Sequence, residues 1–144
     1  MQLAAILSDK GRDVLTIHPD ASVAGLVAML AEHSIGALVV SPDGSYISGI
    51  VSERDVVRAL THGAHALDAP VASIMTAQVH CAPPTAGIDE LMHLMTERRI
   101  RHVPITDDAG SLIGIVSIGD VVKSRLGELE GERAALMDYI TRGG

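Results

Sequence analysis

The sequence predicts an α/β fold in which two β-α-β-β-α repeats pack about a pseudo-twofold axis, with a further helix at the C-terminus. The first observation is an internal duplication, since the stretch Gly49–Asp55 returns as Gly114–Asp120, at a shift of 65 residues. The second is that short β-branched runs alternate with helical apolar stripes in both halves. Two copies are too few for a stacked solenoid, so we expect them to pack face to face.

The duplicated stretch is Gly-Ile-Val-Ser-x-x-Asp, typical of a strand that enters the first turn of a helix. The motif has two interpretations. In the first it is a helix cap, in which Ser52 and Ser117 bond the first turn of the helix, and Asp55 and Asp120 reach back to the backbone. As a ligand site, backbone N–H groups, a hydroxyl and a carboxylate meet at one edge, which suits phosphate and sugar hydroxyls. Duplication weakens the capping interpretation without removing it, because a duplicated fold also duplicates its caps.

The first half is predicted to run helix, strand, helix, strand, strand, helix. Its second helix begins after Ser22, carries apolar residues at i, i+3, i+4 and i+7 from Val23 to Leu30, and stops at Gly36. Gly11 is predicted to end the first helix. The other predicted bounds are Met1–Leu7 and Glu53–Leu60 for helices, and Val14–Ile17, Ala37–Val40 and Tyr46–Val51 for strands.

Four segments are predicted along the chain: a first repeat over 1–62, a connector over 63–69, a second repeat over 70–125 and a helical tail over 126–144. The second repeat opens with a short helix over Pro70–Met75, and its first strand includes Cys81–Ala82. The tail carries Leu126, Leu129, Leu136 and Ile140 on one broad face. It is interpreted either as a helix lying on its own domain or as an oligomer contact.

Composition excludes several classes of protein. The 144 residues include 47% hydrophobic residues, no Trp and no Phe, and the formal net charge is −7. An acidic chain without stacking aromatics is not expected to bind nucleic acid. No run approaches the length needed to span a bilayer, and Met1–Leu7 is too short for a signal peptide. With Cys81 as the only cysteine, a reducing, cytoplasmic setting is expected.

Catalytic and metal sites find little support in the sequence. His62 and His65 form the closest histidine pair, but no carboxylate or thiol stands at ligand spacing, so solvated loop histidines are favoured. Cys81 is interpreted as an inert, half-buried thiol. No phosphate loop and no paired nucleophile and base are present, so the protein is not expected to be an enzyme.

The duplicated pattern resembles a tandem pair of CBS domains, together called a Bateman module. Ser73–Thr76, Arg101–Ile105 and the run Ser117–Lys123 also match, the last resembling stand-alone bacterial CBS-pair proteins. The resemblance covers residues 1–125. It implies a regulatory module that binds an adenosine-containing ligand (AMP, ADP, ATP, NAD or S-adenosylmethionine) at two related sites in the cleft between the repeats.

The resemblance also implies roles for particular residues. Asp55 and Asp120 would hold the ribose, since a carboxylate can accept from both hydroxyls, and would disfavour a 2′-phosphate. The positions with other implied roles are Thr16, Ile17, Cys81 and Ala82 at the adenine edge; Ala37 and Pro104, with their strands, in the apolar slot; Arg54, Arg101 and His102 at the phosphates; and Ser52, Val116, Ser117, Ile118 and Gly119 in the closing motifs.

These residues predict a non-enzymatic sensor of AMP, ATP or NAD(H), expected to be a homodimer that acts on a separate effector protein. Asp120 is expected to matter most, because Arg101 and His102 lie in its own repeat. One alternative is a dimerisation or scaffold module with an empty cleft. A second alternative is a small enzyme that acts on a nucleotide.

Overall fold

The computed structural model describes residues 2–11 and 14–143 and contains two related α/β units followed by a long helix. Met1 and Gly144, the ends of the predicted first helix and tail, lie outside the described residues. The helices are α1 (Leu3–Lys10), α2 (Val23–His33), α3 (Glu53–Leu60), α4 (Ile88–Arg98) and α5 (Ile118–Gly143). The strands are β1 (Thr16–Ile17), β2 (Ala37–Val40), β3 (Gly49–Ser52), β4 (His102–Thr106) and β5 (Leu112–Ser117).

The predicted duplication is confirmed by the strand register. In the first unit β1 runs parallel to β2, and β2 pairs antiparallel with β3 so that Ala37 faces Ser52. In the second unit β4 pairs antiparallel with β5, and His102 faces Ser117. Each residue of the second pair lies 65 positions after its counterpart, so both units place the end of the closing strand beside the start of the preceding one.

The strand predicted at Cys81–Ala82 is reduced to a single parallel bridge between Ala82 and Ile105. The Ala82 N–H donates to the Pro104 carbonyl at 3.1 Å, and the Thr106 N–H donates to the Ala82 carbonyl at 3.0 Å. Pro104 has no backbone N–H to donate to the His80 carbonyl, and Pro84 has none to donate to the Thr106 carbonyl, so the ladder cannot extend in either direction. The prediction of a regular strand here was therefore wrong.

Each unit has its own aliphatic core, and each core receives a segment from the other half of the chain. Leu3 and Ile6 of α1 pack with Ile88, Leu91 and their neighbours in the second unit. Val71, from the short 3-10 helix Val71–Ser73, packs instead in the core of the first unit. Leu3 is fully buried, so its truncation to Ala should cost about 2–5 kcal/mol. This packing anchors α1 next to β5.

Several predicted boundaries shift by a few residues. α1 continues to Lys10 before Gly11 ends it, with φ 86° at that glycine. α2 ends at His33 rather than Gly36, because Ser34 takes the left-handed conformation at φ 52°. Residues 46–48 precede the strand predicted from Tyr46, since the Asp43 carboxylate accepts from the backbone N–H groups of Ser45 and Tyr46 in a tight turn.

α5 is one continuous helix from Ile118 to Gly143, and its second half leaves the body of the protein. Every side chain from Leu129 to Arg142 is exposed. The interpretation of the tail as a helix lying on its own domain is therefore not supported by the structure. Its oligomer interpretation stays a prediction.

Candidate functional site

Both copies of the closing motif form reciprocal caps at the start of a helix. The Ser52 N–H donates to Asp55 Oδ2 at 2.8 Å, and the Asp55 N–H donates to Ser52 Oγ at 3.4 Å. The Ser117 N–H likewise donates to Asp120 Oδ2 at 2.8 Å, and the Asp120 N–H to Ser117 Oγ at 3.1 Å. The capping interpretation is therefore confirmed. Because each cap bonds Oδ2, Oδ1 of the same carboxylate can still accept from a ligand, and the two roles are compatible.

Asp55 lies in a cavity of about 440 Å³ between the two units, a volume typical of small-molecule sites. One wall comes from β2, β3 and the start of α3. The opposite wall comes from the loop before Cys81, the end of α4 and the start of β4. The lining residues are Gly36, Ala37, Ile50, Ser52, Glu53, Arg54, Asp55, Arg58, Thr76, Gln78, Val79, His80, Arg98, Arg99, Ile100, Arg101 and His102.

Asp120 lies in a second cavity of about 430 Å³ that is related to the first by the repeat. Its walls come from the end of α1, the entry to β1, the turn between α2 and β2, and the end of β5. Most of the side chains on these walls are apolar. The lining residues are Leu7, Lys10, Gly11, Val14, Leu15, Ser34, Ile35, Gly36, Ala37, Leu38, His102, Gly114, Ile115, Ser117 and Asp120.

Each cavity combines the closing motif of one repeat with the helix end and strand entry of the other repeat. Arg101 therefore shares its cavity with Asp55, not with Asp120. Asp120 was expected to matter most because Arg101 and His102 lie in its own repeat; His102 does line the Asp120 cavity, but Arg101 does not. His102 and Ala37 line both cavities, because β2 and β4 start where the two cavities meet.

Eight of the sixteen predicted site residues line a cavity: Ala37, Ser52, Arg54, Asp55, Arg101, His102, Ser117 and Asp120. The other eight do not appear among the lining residues. Ile17, Ala82, Pro104 and Val116 are buried in the strands, and Thr16 is half-buried. Cys81 is exposed, as are Ile118 and Gly119 at the start of α5.

Sequence reasoning did not place Lys10, Arg58, His80, Arg98 and Arg99 among the site residues, although they line the cavities. Arg58 follows Arg54 by one helical turn, so it could have been placed on the same face. Lys10 had no such signal. It reaches the site only because α1 packs in the core of the second unit.

Lys10 is the ion-pair partner of Asp120. Its Nζ donates to Asp120 Oδ2 at 2.7 Å and to the Ile115 carbonyl at 2.8 Å. Desolvation favours the neutral acid at Asp120, but the hydrogen bonds from Lys10 and from the Ser117 backbone outweigh it and lower the pKa of this carboxyl. Asp120 therefore stays charged across the physiological range.

His102 stands where the two cavities meet and is largely shielded from water. Desolvation, followed by the positive charge of Lys10, lowers the pKa of His102 below its usual value. The carboxylates of Asp120 and Glu53 oppose this shift without cancelling it. At neutral pH the imidazole is therefore uncharged and can donate or accept a hydrogen bond.

Within 2–11 and 14–143, no group of three or more His, Cys, Asp or Glu side chains is placed to hold a metal ion. Partial burial raises the pKa of the Cys81 thiol, so the reactive thiolate is disfavoured although the residue is exposed. No helix in this part of the chain is both long and apolar enough to cross a membrane.

Comparison with known proteins identifies relatives along nearly the whole chain. The family model described as "CBS domain" matches residues 8–62 and 71–127. The mitochondrial CBS domain-containing protein CBSX3 of Arabidopsis thaliana is 34% identical over 98% of this chain and 72% of its own length.

Two solved structures extend this comparison. The CBS-domain containing protein ATU1752 of Agrobacterium tumefaciens is 42% identical with a TM-score of 0.83, covering 87% of this chain and 99% of that one. The CBS domain pair of protein MJ0100, in complex with 5′-methylthioadenosine and S-adenosyl-L-methionine, is 26% identical with a TM-score of 0.75, covering 88% and 98%.

Proposed function

Because the chain belongs to the CBS-domain family, with two copies in tandem, we propose that it is a regulatory module that binds an adenine nucleotide between its repeats. The ligand is AMP, ATP or NAD(H), and the protein reports energy or redox state to a separate effector protein. The observation that carries this proposal is the pair of symmetry-related cavities, each with a helix-start carboxylate on its wall. The protein acts by binding, not by catalysis.

Each part of an adenine nucleotide has a matching part of the cavity wall. Oδ1 of Asp55 or Asp120 accepts from ribose hydroxyls, while Oδ2 keeps the helix cap. In the Asp55 cavity, Ile50, Val79 and Ile100 offer apolar surface for the base. Arg54, Arg101 and His102 provide donors for phosphate. The complex of the MJ0100 domain pair with two adenosine compounds supports this class of ligand.

Mass spectrometry of small molecules released from the purified, gently denatured protein tests this proposal. An adenine nucleotide at a substantial fraction of the protein concentration is the expected result. The Asp55→Asn/Asp120→Asn double variant should retain much less of it. If neither protein carries an adenosine compound and none binds when added, the scaffold interpretation replaces the proposed function.

A homodimer is the second part of the proposal, and the tail supports it. Val122, Leu126, Leu129, Leu136 and Ile140 repeat at heptad spacing along α5 and are 51–60% exposed. Gly127 and Gly131 weaken the helix but lie outside this stripe. A helix with an exposed heptad stripe and no packing of its own is stabilised by a second copy of itself.

Two charged residues bear on how the tails would pair. Arg125, beside the seam position Leu126, forms ion pairs with Asp89 and Glu128 of its own chain. Arg133 occupies a seam position, where a charged residue weakens pairing but sets the register.

The cytoplasmic setting stays a prediction based on the single cysteine.

A further inference from the structure

The two cavities differ strongly in charge, although the repeat relates them. Five guanidinium groups line the Asp55 cavity: Arg54 and Arg58 from α3, and Arg98, Arg99 and Arg101 from the end of α4 and the entry to β4. The carboxylates on the same walls are Glu53 and Asp55. Among the described residues, the Asp120 cavity is lined by a single Lys or Arg, Lys10, which is paired with Asp120. Among residues 2–11 and 14–143, the excess of positive charge thus lies on the walls of the Asp55 cavity, in a protein with net charge −7.

The cations of the Asp55 cavity have no carboxylate partner in the part of the chain that the structure describes. Like charges gathered on one wall repel one another, and a low-dielectric cleft focuses their field. An anionic ligand removes this repulsion and gains charge-assisted hydrogen bonds.

We propose that the Asp55 cavity selects an adenine nucleotide that carries two or more phosphates. This inference rests on the proposed function and narrows its ligand. A single phosphate has three terminal oxygens and cannot use five guanidinium forks, whereas a pyrophosphate or triphosphate can. Arg58 lies one turn beyond Arg54 on α3, so the cationic surface continues along the helix and matches an extended phosphate chain.

Isothermal titration with adenosine, AMP, ADP and ATP, at one salt concentration and without divalent cations, tests this selection. ATP should bind at least about tenfold more tightly than AMP, since each hydrogen bond to a charged group contributes on this scale. Arg58→Gln should remove about tenfold of the ATP affinity and change AMP binding much less. Lys123→Gln is the matched control, because Lys123 stands 65 residues after Arg58, is exposed and does not line either cavity.

Three outcomes overturn the selection. Equal affinities for AMP and ATP contradict it and leave the proposed function standing. If Arg58→Gln and Lys123→Gln lose ATP affinity equally, the loss reflects the net charge of the protein and not a phosphate site at Arg58. If the protein binds no adenosine compound, both this inference and the proposed function are wrong.

Lys10, near the end of α1, contacts the closing motif of the second repeat. Its Nζ contacts both Asp120 Oδ2 and the Ile115 carbonyl. The residue equivalent to Lys10 in the second repeat is Met75, 65 positions later, and it has no charge to offer Asp55. Among the described residues, no Lys, Arg or His forms an ion pair with Asp55.

We infer that Lys10 competes with ribose hydroxyls for Asp120, so that the Asp120 cavity binds adenosine compounds more weakly than the Asp55 cavity. This inference also rests on the proposed function. Lys10 bonds Oδ2 and leaves Oδ1 open, so it competes through charge: the ammonium group neutralises the carboxylate and makes Oδ1 a weaker acceptor for ribose hydroxyls. The ion pair is partly solvated, with side-chain exposures of 36% for Lys10 and 22% for Asp120, so displacement is feasible.

The variant Lys10→Met tests this inference, because it gives the first repeat the methionine that the second repeat has at the equivalent position, Met75. Titration with adenosine, which has no phosphate to attract Lys10, should show a weaker second binding event that tightens about tenfold in this variant. Lys10→Gln should tighten it as well, and Lys123→Met should leave it unchanged. With 2′,3′-dideoxyadenosine the gain should vanish, because the hydroxyls are missing. Weaker or unchanged second-site binding in both Lys10 variants overturns the inference, as does a single binding event in every protein.

Discussion

Asp55 and Asp120 each combine a helix cap with a carboxylate that faces a cavity, and substitution by Asn separates the two roles. Asn keeps the size of the side chain and is itself a good capping residue, so the loss of stability should stay within about 0.5–2 kcal/mol. A ribose loses a charged acceptor and meets an NH₂ group instead. Its affinity should therefore fall about tenfold to a hundredfold.

The structure changes which of the two aspartates should matter more. Arg101 shares the cavity of Asp55, and Asp120 is engaged by Lys10. Asp55→Asn is therefore expected to weaken ATP binding more than Asp120→Asn does. Titration calorimetry and urea unfolding of both variants check this expectation. If both bind like the wild type and lose only stability, the duplicated motif is a helix cap and no more.

His102 and Asp120 give the stability of the protein two separate acid-sensitive steps. The pKa of His102 is lower in the folded protein, so the unfolded chain binds a proton more readily once the pH falls below about 6.5. Stability should therefore decline as the pH falls from about 6.5 through the folded pKa. The pKa of Asp120 is also lowered, so its contribution is present above about 3.9 and is lost as the pH falls through its folded value.

Urea unfolding as a function of pH checks the first of these steps. His102→Gln should flatten the decline between neutral pH and pH about 5, because it removes the group that the unfolded chain protonates. His93→Gln is the control, since His93 is exposed on α4. A decline that is unchanged in His102→Gln would assign the effect to other groups.

At the scale of elements, the tail of α5 is the part whose role is easiest to isolate. Deletion of residues 126–144 should shift a dimer toward monomer, because it removes most of the exposed heptad stripe. Sedimentation velocity over a range of protein concentrations measures this shift. Leu129→Ser/Leu136→Ser should act in the same direction, and Ala134→Ser/Ala135→Ser, which are exposed outside the stripe, is the matched control. An unchanged dimer would place the interface on the other helices.

Two helices and one strand show which element boundaries can be predicted from the sequence and which cannot. Glu53–Leu60 was predicted with its observed bounds, because Ser52 and Asp55 mark the start of the helix locally. α2 was predicted to reach Gly36, yet Ser34 ends it, since a left-handed cap formed by a residue other than glycine has no strong local signal. The strand predicted at Ala82 does not form for a different reason, because Pro84 and Pro104 lack the backbone N–H groups that would extend the ladder.

The sequence predicted individual cavity-lining residues better than it predicted how these residues group in the two cavities. Ser52, Asp55, Ser117 and Asp120 all reach a cavity wall, since the motif itself defines their geometry. The grouping of Arg101 with Asp55 could not be predicted, because it depends on how the two repeats pack against each other. Lys10 was missed for the same reason, as it approaches Asp120 across 110 residues of sequence.

At the scale of the whole molecule, each cavity is shared between the repeats. A ligand in either cavity therefore contacts both units and favours the arrangement in which they lie at the right distance. Binding to the folded state alone also stabilises the protein by linkage. The gain is about 2.7 kcal/mol when the free ligand is at a hundred times its Kd.

Thermal unfolding with and without nucleotide is the most direct test of adenine-nucleotide binding between the repeats. The melting temperature should rise clearly with AMP, ATP or NAD(H), and much less with guanosine nucleotides or with 2′-phosphorylated compounds, whose phosphate the aspartates repel. The Asp55→Asn/Asp120→Asn variant should lose most of this rise, and its melting temperature without ligand should be lower by several degrees because both helix caps are weakened. A melting temperature that does not respond to any adenosine compound would contradict the account.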